Sequence, residues 1–306
     1  INCVAPGGTP TGMMKQSLKI ANIPAVSALY YALLQTGYEP FYAMGKDESL
    51  REKLAEFRLS AYGADLTFFR DARQTTCEVY PFWPRAAALE TATFFINAAN
   101  GCFEDFDAYQ SLILSAPNLS NSERGNEFWS WVKHFPIAPG PVLKSMEFKN
   151  YLAWESKHIN EQNVLFADKF AIIMDILAKC QAAYQTHVQS VSAIICPIKC
   201  ANSSDYHVKD SHLFYISGVF REDALLHEYL HIIVHPYVAQ RMDVISSLPA
   251  RYPGIDSSYY LSGDASGQLN AFEEYAVRKL SSYLLGGACP PSMDIYINKI
   301  AEGLTL

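Results

Sequence analysis

The chain is poor in charge: only 18% of its 306 residues are Asp, Glu, Lys or Arg, and the formal net charge is -7. Nucleic acids and anionic membranes are held by basic faces, so neither is expected as a partner. No apolar run approaches the roughly 20 residues that cross a bilayer, so no membrane segment is expected. A charged stretch leading into an apolar one is also missing, and Ile1 stands where a trimmed chain would begin, so the compartment is left open. Internal repeats and low-complexity tracts are absent. The Pro6–Gly12 stretch is rich in glycine but lacks the Gly-Lys-Ser/Thr that closes a phosphate-binding loop. Seven scattered cysteines cannot all pair within one chain and do not form a secreted disulfide scaffold. Cys196 and Cys200, close together on an expected strand, read as buried thiols rather than a metal pair.

Hydrophobic residues, by contrast, make up 50% of the chain, enough for a substantial core. Helical spacing of apolar residues is expected to give helices over 23–36, 46–62, 86–99, 105–114, 166–185 and 270–285. Phe135-Pro-Ile-Ala-Pro-Gly-Pro141 is stiff and reads as a hinge. It separates a helical N-terminal region, 1–140, from a C-terminal region, 141–306. Short β-branched runs at 191–199 and 213–220 predict two strands, joined by a polar loop over 201–210. The fold class expected is α+β and predominantly helical.

After the second strand comes Ala224-Leu-Leu-His227-Glu228-Tyr-Leu-His231-Ile-Ile-Val-His235-Pro236. Two histidines four residues apart lie one turn apart on one helix face, so both imidazoles can reach one ion. Glu228 lies about 100° round from His227, placed to address a water beside that ion without ligating it. Imidazole and carboxylate groups are seldom buried without partners, and a metal would account for all three in an otherwise apolar helix. Glu222 and Asp223 favour the helix N-terminus, and Pro236 is expected to end the helix at His235.

A zinc site needs a third protein ligand. His235 is eight residues from His227, about 12 Å along the axis, too far to share the ion. Glu273 and Glu274 stand on a later helix, in Phe272-Glu-Glu-Tyr-Ala-Val-Arg278. If Val277 and Leu284 face the core, Glu273 and Leu280 share their stripe while Glu274 aligns with Arg278 and Ser281, so periodicity alone slightly favours Glu273.

The HExxH segment resembles the active-site helix of zincin metallopeptidases. With the downstream glutamate it resembles their gluzincin branch and bacterial HExxH families whose second helix carries a Glu-Tyr-x-Val-Arg-like string. The resemblance spans roughly 192–285. It implies a zincin-like C-terminal portion with a small sheet and two motif helices, whose edge strand pairs with an extended peptide. It favours Glu274 as third ligand to Zn²⁺ beside His227 and His231, with Arg278 behind it. It implies hydrolysis of a peptide or protein substrate with Glu228 as the base. Tyr260, Tyr259, Tyr275, His207 and Arg278 stand as candidates to stabilise the oxyanion. Two other classes are a non-catalytic binding protein on the same fold and a metal-dependent hydrolase of a non-peptide amide.

Overall fold

A computed structural model of the chain describes residues 18–38, 47–76, 87–94, 96–97, 102–103, 134–135, 138–184, 186–201, 204–209, 211–248, 252–256, 265–288 and 292–303. It is predominantly helical with a mixed four-stranded sheet, an α+β arrangement. In chain order come β1 (Ile20–Ala21), α1 (Pro24–Gln35), α2 (Glu48–Glu56), α3 (Thr67–Thr76), α4 (Ala87–Thr93), β2 (Ile96–Asn97) and β3 (Cys102–Phe103). Then follow α5 (Pro139–Lys144), α6 (Met146–Leu165), α7 (Ala167–Tyr184), β4 (Ser190–Ile195), β5 (Asp205–Lys209) and β6 (His212–Ser217). The last are α8 (Glu222–Ala239), α9 (Met242–Ser246), α10 (Ala265–Leu285) and α11 (Met293–Ala301). None of the described helices is long and apolar enough to cross a membrane.

The sheet has the order β1-β4-β6-β5, with β1, β4 and β6 parallel and β5 antiparallel at the edge. Its strands alternate between two cores. Val191, Ala193 and Ile195 of β4 and Leu213 and Tyr215 of β6 face one; Ile194 and Ile216 face the other. Such burial on both faces is what parallel strands require. Helices α1 to α5 supply the second core, and α7, α8, α10 and α11 the first, with α6 reaching both. The N-terminal part therefore covers one face of the sheet and contributes β1 to it.

Local signals explain most elements. Pro24 opens α1, which is buried from Val26 to Leu34. At its end Gly37 takes φ 98°, and Tyr38 N–H reaches the Leu33 carbonyl, the glycine-terminated close of a helix. Asp47 caps α2 by accepting from Leu50 N–H at 2.7 Å. Ser145 does the same for α6 through Phe148 N–H.

Several expectations are corrected. The helix anticipated over 46–62 is confined to Glu48–Glu56. That over 86–99 stops at Thr93, and Ile96–Asn97 instead pairs with Cys102–Phe103. Its last residue turns its hydroxyl back to the Glu90 carbonyl, a bond that competes with further helix. Helix α5 begins within the proline-rich stretch, with Pro139 in its first turn, where a missing N–H costs nothing. The 20-residue α6 was not anticipated. The polar loop over 201–210 holds β5, so the two expected strands are joined by a third. Pro236 does not end α8, which runs on to Ala239. Inside the helix Pro236 removes the bond to the Ile232 carbonyl and crowds that carbonyl, but Val238 is buried and draws the last turn inward against that cost. The helix expected over 105–114, the Pro6–Gly12 loop, Tyr259 and Tyr260 lie outside the described residues.

Candidate metal centre

Helices α8 and α10 pack side by side, and their interface holds the motif residues. The apolar residues of α8 fix it there: Leu225, Leu226, Tyr229, Leu230, Ile232, Ile233 and Val234 are all buried. His227 and His231 then face α10 from successive turns, and Glu274 meets them from its buried face.

The donor atoms converge. His227 Nε2 and His231 Nε2 are 3.2 Å apart, and Glu274 Oε2 lies 3.4 Å from the first and 3.5 Å from the second. A tetrahedral ion with ligand bonds of ~2.0–2.1 Å has ligand–ligand edges of ~3.3–3.4 Å. His227, His231 and Glu274 thus form a group within metal-binding distance, the only such group among the described residues.

The surroundings hold the donors in place. Arg278, one turn beyond Glu274, donates from Nε to Glu274 Oε1 at 2.6 Å and from Nη1 to the Gly254 carbonyl at 2.7 Å. Glu274 is therefore turned so that its other oxygen faces the histidines. Glu273 is largely buried, with a side chain 13% exposed. Its two oxygens lie 2.8 Å from His231 Nδ1 and 2.8 Å from His235 Nδ1. His235 is therefore tied to Glu273 rather than standing at a helix end. The Tyr206 ring, from β5, stacks on the His231 ring at an interplanar angle of 12°.

The electrostatics among these side chains are strong. Burial opposes protonation of His231, but hydrogen bonds with Glu273 and Glu274 and the nearby carboxylates outweigh it and raise its pKa to about 10. Burial likewise pushes the Glu273 carboxyl up, yet His231 and His235 pull it down to about 2. Glu274 is held well below the usual carboxylate range, since His227 and His231 outweigh its burial. Tyr206 keeps its proton: burial, then Glu273 and Glu228, push its pKa up.

Of the oxyanion candidates, Arg278 reaches the site only through Glu274. His207 points away: it alternates with Tyr206 along β5 and bonds to Glu90 at 2.9 Å. Tyr275 stacks on Tyr252, with ring centroids 5.3 Å apart.

On the opposite side of β5 lies a buried charge cluster that no motif announced. Lys199 Nζ donates to Glu90 and Asp205, each at 2.7 Å, and to Tyr30 Oη at 3.0 Å, so all three of its protons are used. Lys199 and Glu90 are both 0% exposed. Tyr206 falls within the expected polar loop, although Asp205-Tyr-His-Val-Lys209 alternates polar and apolar in the period of a strand. No protein-family model, curated protein or solved structure matches the chain.

Proposed function

We propose that the chain is a zinc-dependent hydrolase of peptide bonds, built on a zincin-like site with a glutamate as third protein ligand. The observation that carries the reading is the convergence of two imidazole nitrogens and one carboxylate oxygen at 3.2, 3.4 and 3.5 Å. Two nitrogens and an oxygen suit zinc, and three protein ligands leave a fourth position open, as catalysis requires. Bound there, zinc supplies acidification of a water and polarisation of a substrate carbonyl.

The protein's own residues do the rest. Glu228 follows His227 directly on α8, where it takes a proton from the attacking water and delivers it to the leaving amine. Glu274 holds its ligating oxygen toward the histidines because Arg278 occupies the other. Tyr206 covers one flat side of His231. The edge strand β5, antiparallel to β6, lies beside α8 and is the element on which an extended peptide would align in a zincin. That placement favours a peptide over a small amide.

Incubation with a mixed peptide library and mass-spectrometric readout tests the reading. Cleavage is expected that disappears with chelator, returns with zinc and is lost in Glu228→Gln. Cleavage indifferent to both chelator and Glu228, or no cleavage by zinc-loaded protein, would overturn it.

A further inference from the structure

Glu273 stands next in sequence to the proposed ligand Glu274, yet it meets the site from the other side. Residue 274 addresses the Nε2 edge of His231, where the metal donors converge, and residue 273 addresses its Nδ1 edge. Both are possible because α10 runs alongside α8, so that adjacent side chains about 100° apart straddle the imidazole.

A neutral imidazole carries one N–H and one lone pair, and which nitrogen has which is set by the partner of the other. A carboxylate at Nδ1 accepts a hydrogen bond from Nδ1–H, which keeps the proton on that nitrogen and leaves the lone pair on Nε2. The second oxygen of Glu273 accepts from His235 Nδ1 at the same 2.8 Å, so the carboxylate is held from both ends. His235 is one turn beyond His231 on the same helix, and its side chain is 32% exposed while that of Glu273 is 13% exposed. The three groups form a short chain from the helix surface to the metal donors.

From this arrangement we infer that Glu273 and His235 are positioning residues for the metal site: Glu273 fixes the tautomer and ring orientation of His231, and His235 acts through Glu273. The inference rests on the metal site proposed above. It gives the third histidine of the motif helix a task other than ligation. It also predicts that replacing Glu273 affects metal binding, although Glu273 is no ligand. Carboxylates behind ligating histidines typically contribute 10–100-fold in metal affinity or activity.

The test measures zinc affinity by competition with a chromophoric chelator, together with the visible absorption of the Co²⁺-loaded protein. Wild type, Glu273→Gln, Glu273→Ala, His235→Ala and the Glu273→Ala/His235→Ala double variant are compared, with His231→Ala as reference. Glu273→Ala should bind zinc roughly 10–100-fold more weakly and shift the Co²⁺ bands. Glu273→Gln keeps a neutral acceptor and should fall between it and wild type. His235→Ala should show a smaller loss, and the double variant should match Glu273→Ala alone, because a residue acting only through another adds nothing once that other is gone. Affinity of Glu273→Ala within about twofold of wild type would overturn the inference, as would additive losses in the double variant. Should Glu273→Ala not fold, the same twofold criterion passes to Glu273→Gln. A wild type that binds no zinc, or that binds as His231→Ala does, refutes the metal site itself and is thereby distinguished.

Discussion

Arg278 and Glu274 lie one turn apart on α10, and the guanidinium takes one carboxylate oxygen at 2.6 Å while the other faces His227 and His231. The same guanidinium bonds to the Gly254 carbonyl, so it is fixed at two points. Arg278→Ala is expected to weaken zinc binding by about 10–100-fold without removing a ligand. Arg278→Lys should recover little, since one ammonium cannot reproduce the two directed bonds of the fork. Chelator competition measures both; wild-type affinity in Arg278→Ala would show that Glu274 needs no such support.

Glu228 is expected to matter for rate and not for metal retention. In Glu228→Gln, zinc content and melting temperature should match the wild type while peptide hydrolysis falls by roughly 10²–10⁴-fold. Loss of zinc in this variant would assign Glu228 to the ligand set instead.

The acid and alkaline limits of the metal-free protein follow from the same cluster. The folded-state pKa of Glu273 is lowered from 4.5 to about 2, so the unfolded chain binds more protons in that window. Its contribution is present above pH 4.5 and is lost as the pH falls toward 2. His231 is raised from 6.5 to about 10, so its contribution is complete below 6.5 and is lost as the pH rises through 10. The melting temperature of chelator-treated protein should therefore fall on both sides of a plateau. In Glu273→Gln the acid-side fall should be shallower. An unchanged acid limb would mean that Glu273 is not paired in solution.

The Lys199 cluster joins the two parts of the chain, since Tyr30 and Glu90 belong to α1 and α4 and Asp205 and His207 to β5. Burial alone would discharge Lys199, but Asp205 and Glu90 outweigh it and hold the ammonium charged. Lys199→Met leaves two carboxylates buried without their cation and should destabilise the fold by about 3–5 kcal/mol. Chemical denaturation reads the effect. A loss below about 1 kcal/mol, the size of an exposed pair, would mean the cluster is wetter than its burial indicates. Gly218→Ala should also destabilise, since a Cβ there would stand 1.9 Å from the Lys199 carbonyl oxygen.

How much of this was legible depended on whether the signal was local. The apolar run of α8 and the spacing of His227, Glu228 and His231 are contained in one helix and could be read directly. Pro236 does not end the helix because the burial of Val238 in the following turn, a tertiary contact, offsets the helix-breaking cost of the proline. Helix α6 buries only Phe148, Tyr151, Glu155 and Ile159 over its 20 residues, a stripe too narrow for apolar periodicity to register. Strand β5 was hidden by its polar alternate residues, of which Asp205 and His207 serve the Lys199 cluster rather than solvent. Neither that cluster nor the link from Glu273 to His235 is a spacing; both arise when distant elements meet. Periodicity preferred Glu273 and the resemblance Glu274, and packing gives each carboxylate its own side of His231.

The central claim is that His227, His231 and Glu274 share one zinc ion. Anomalous diffraction from crystals of zinc-loaded protein, recorded at the zinc absorption edge, tests it most directly. The account predicts one strong peak on this chain, ~2.0–2.2 Å from His227 Nε2, His231 Nε2 and a Glu274 oxygen, with Glu273 outside bonding distance. A peak held by Glu273 or His235 in place of Glu274, or no peak between α8 and α10, would contradict it.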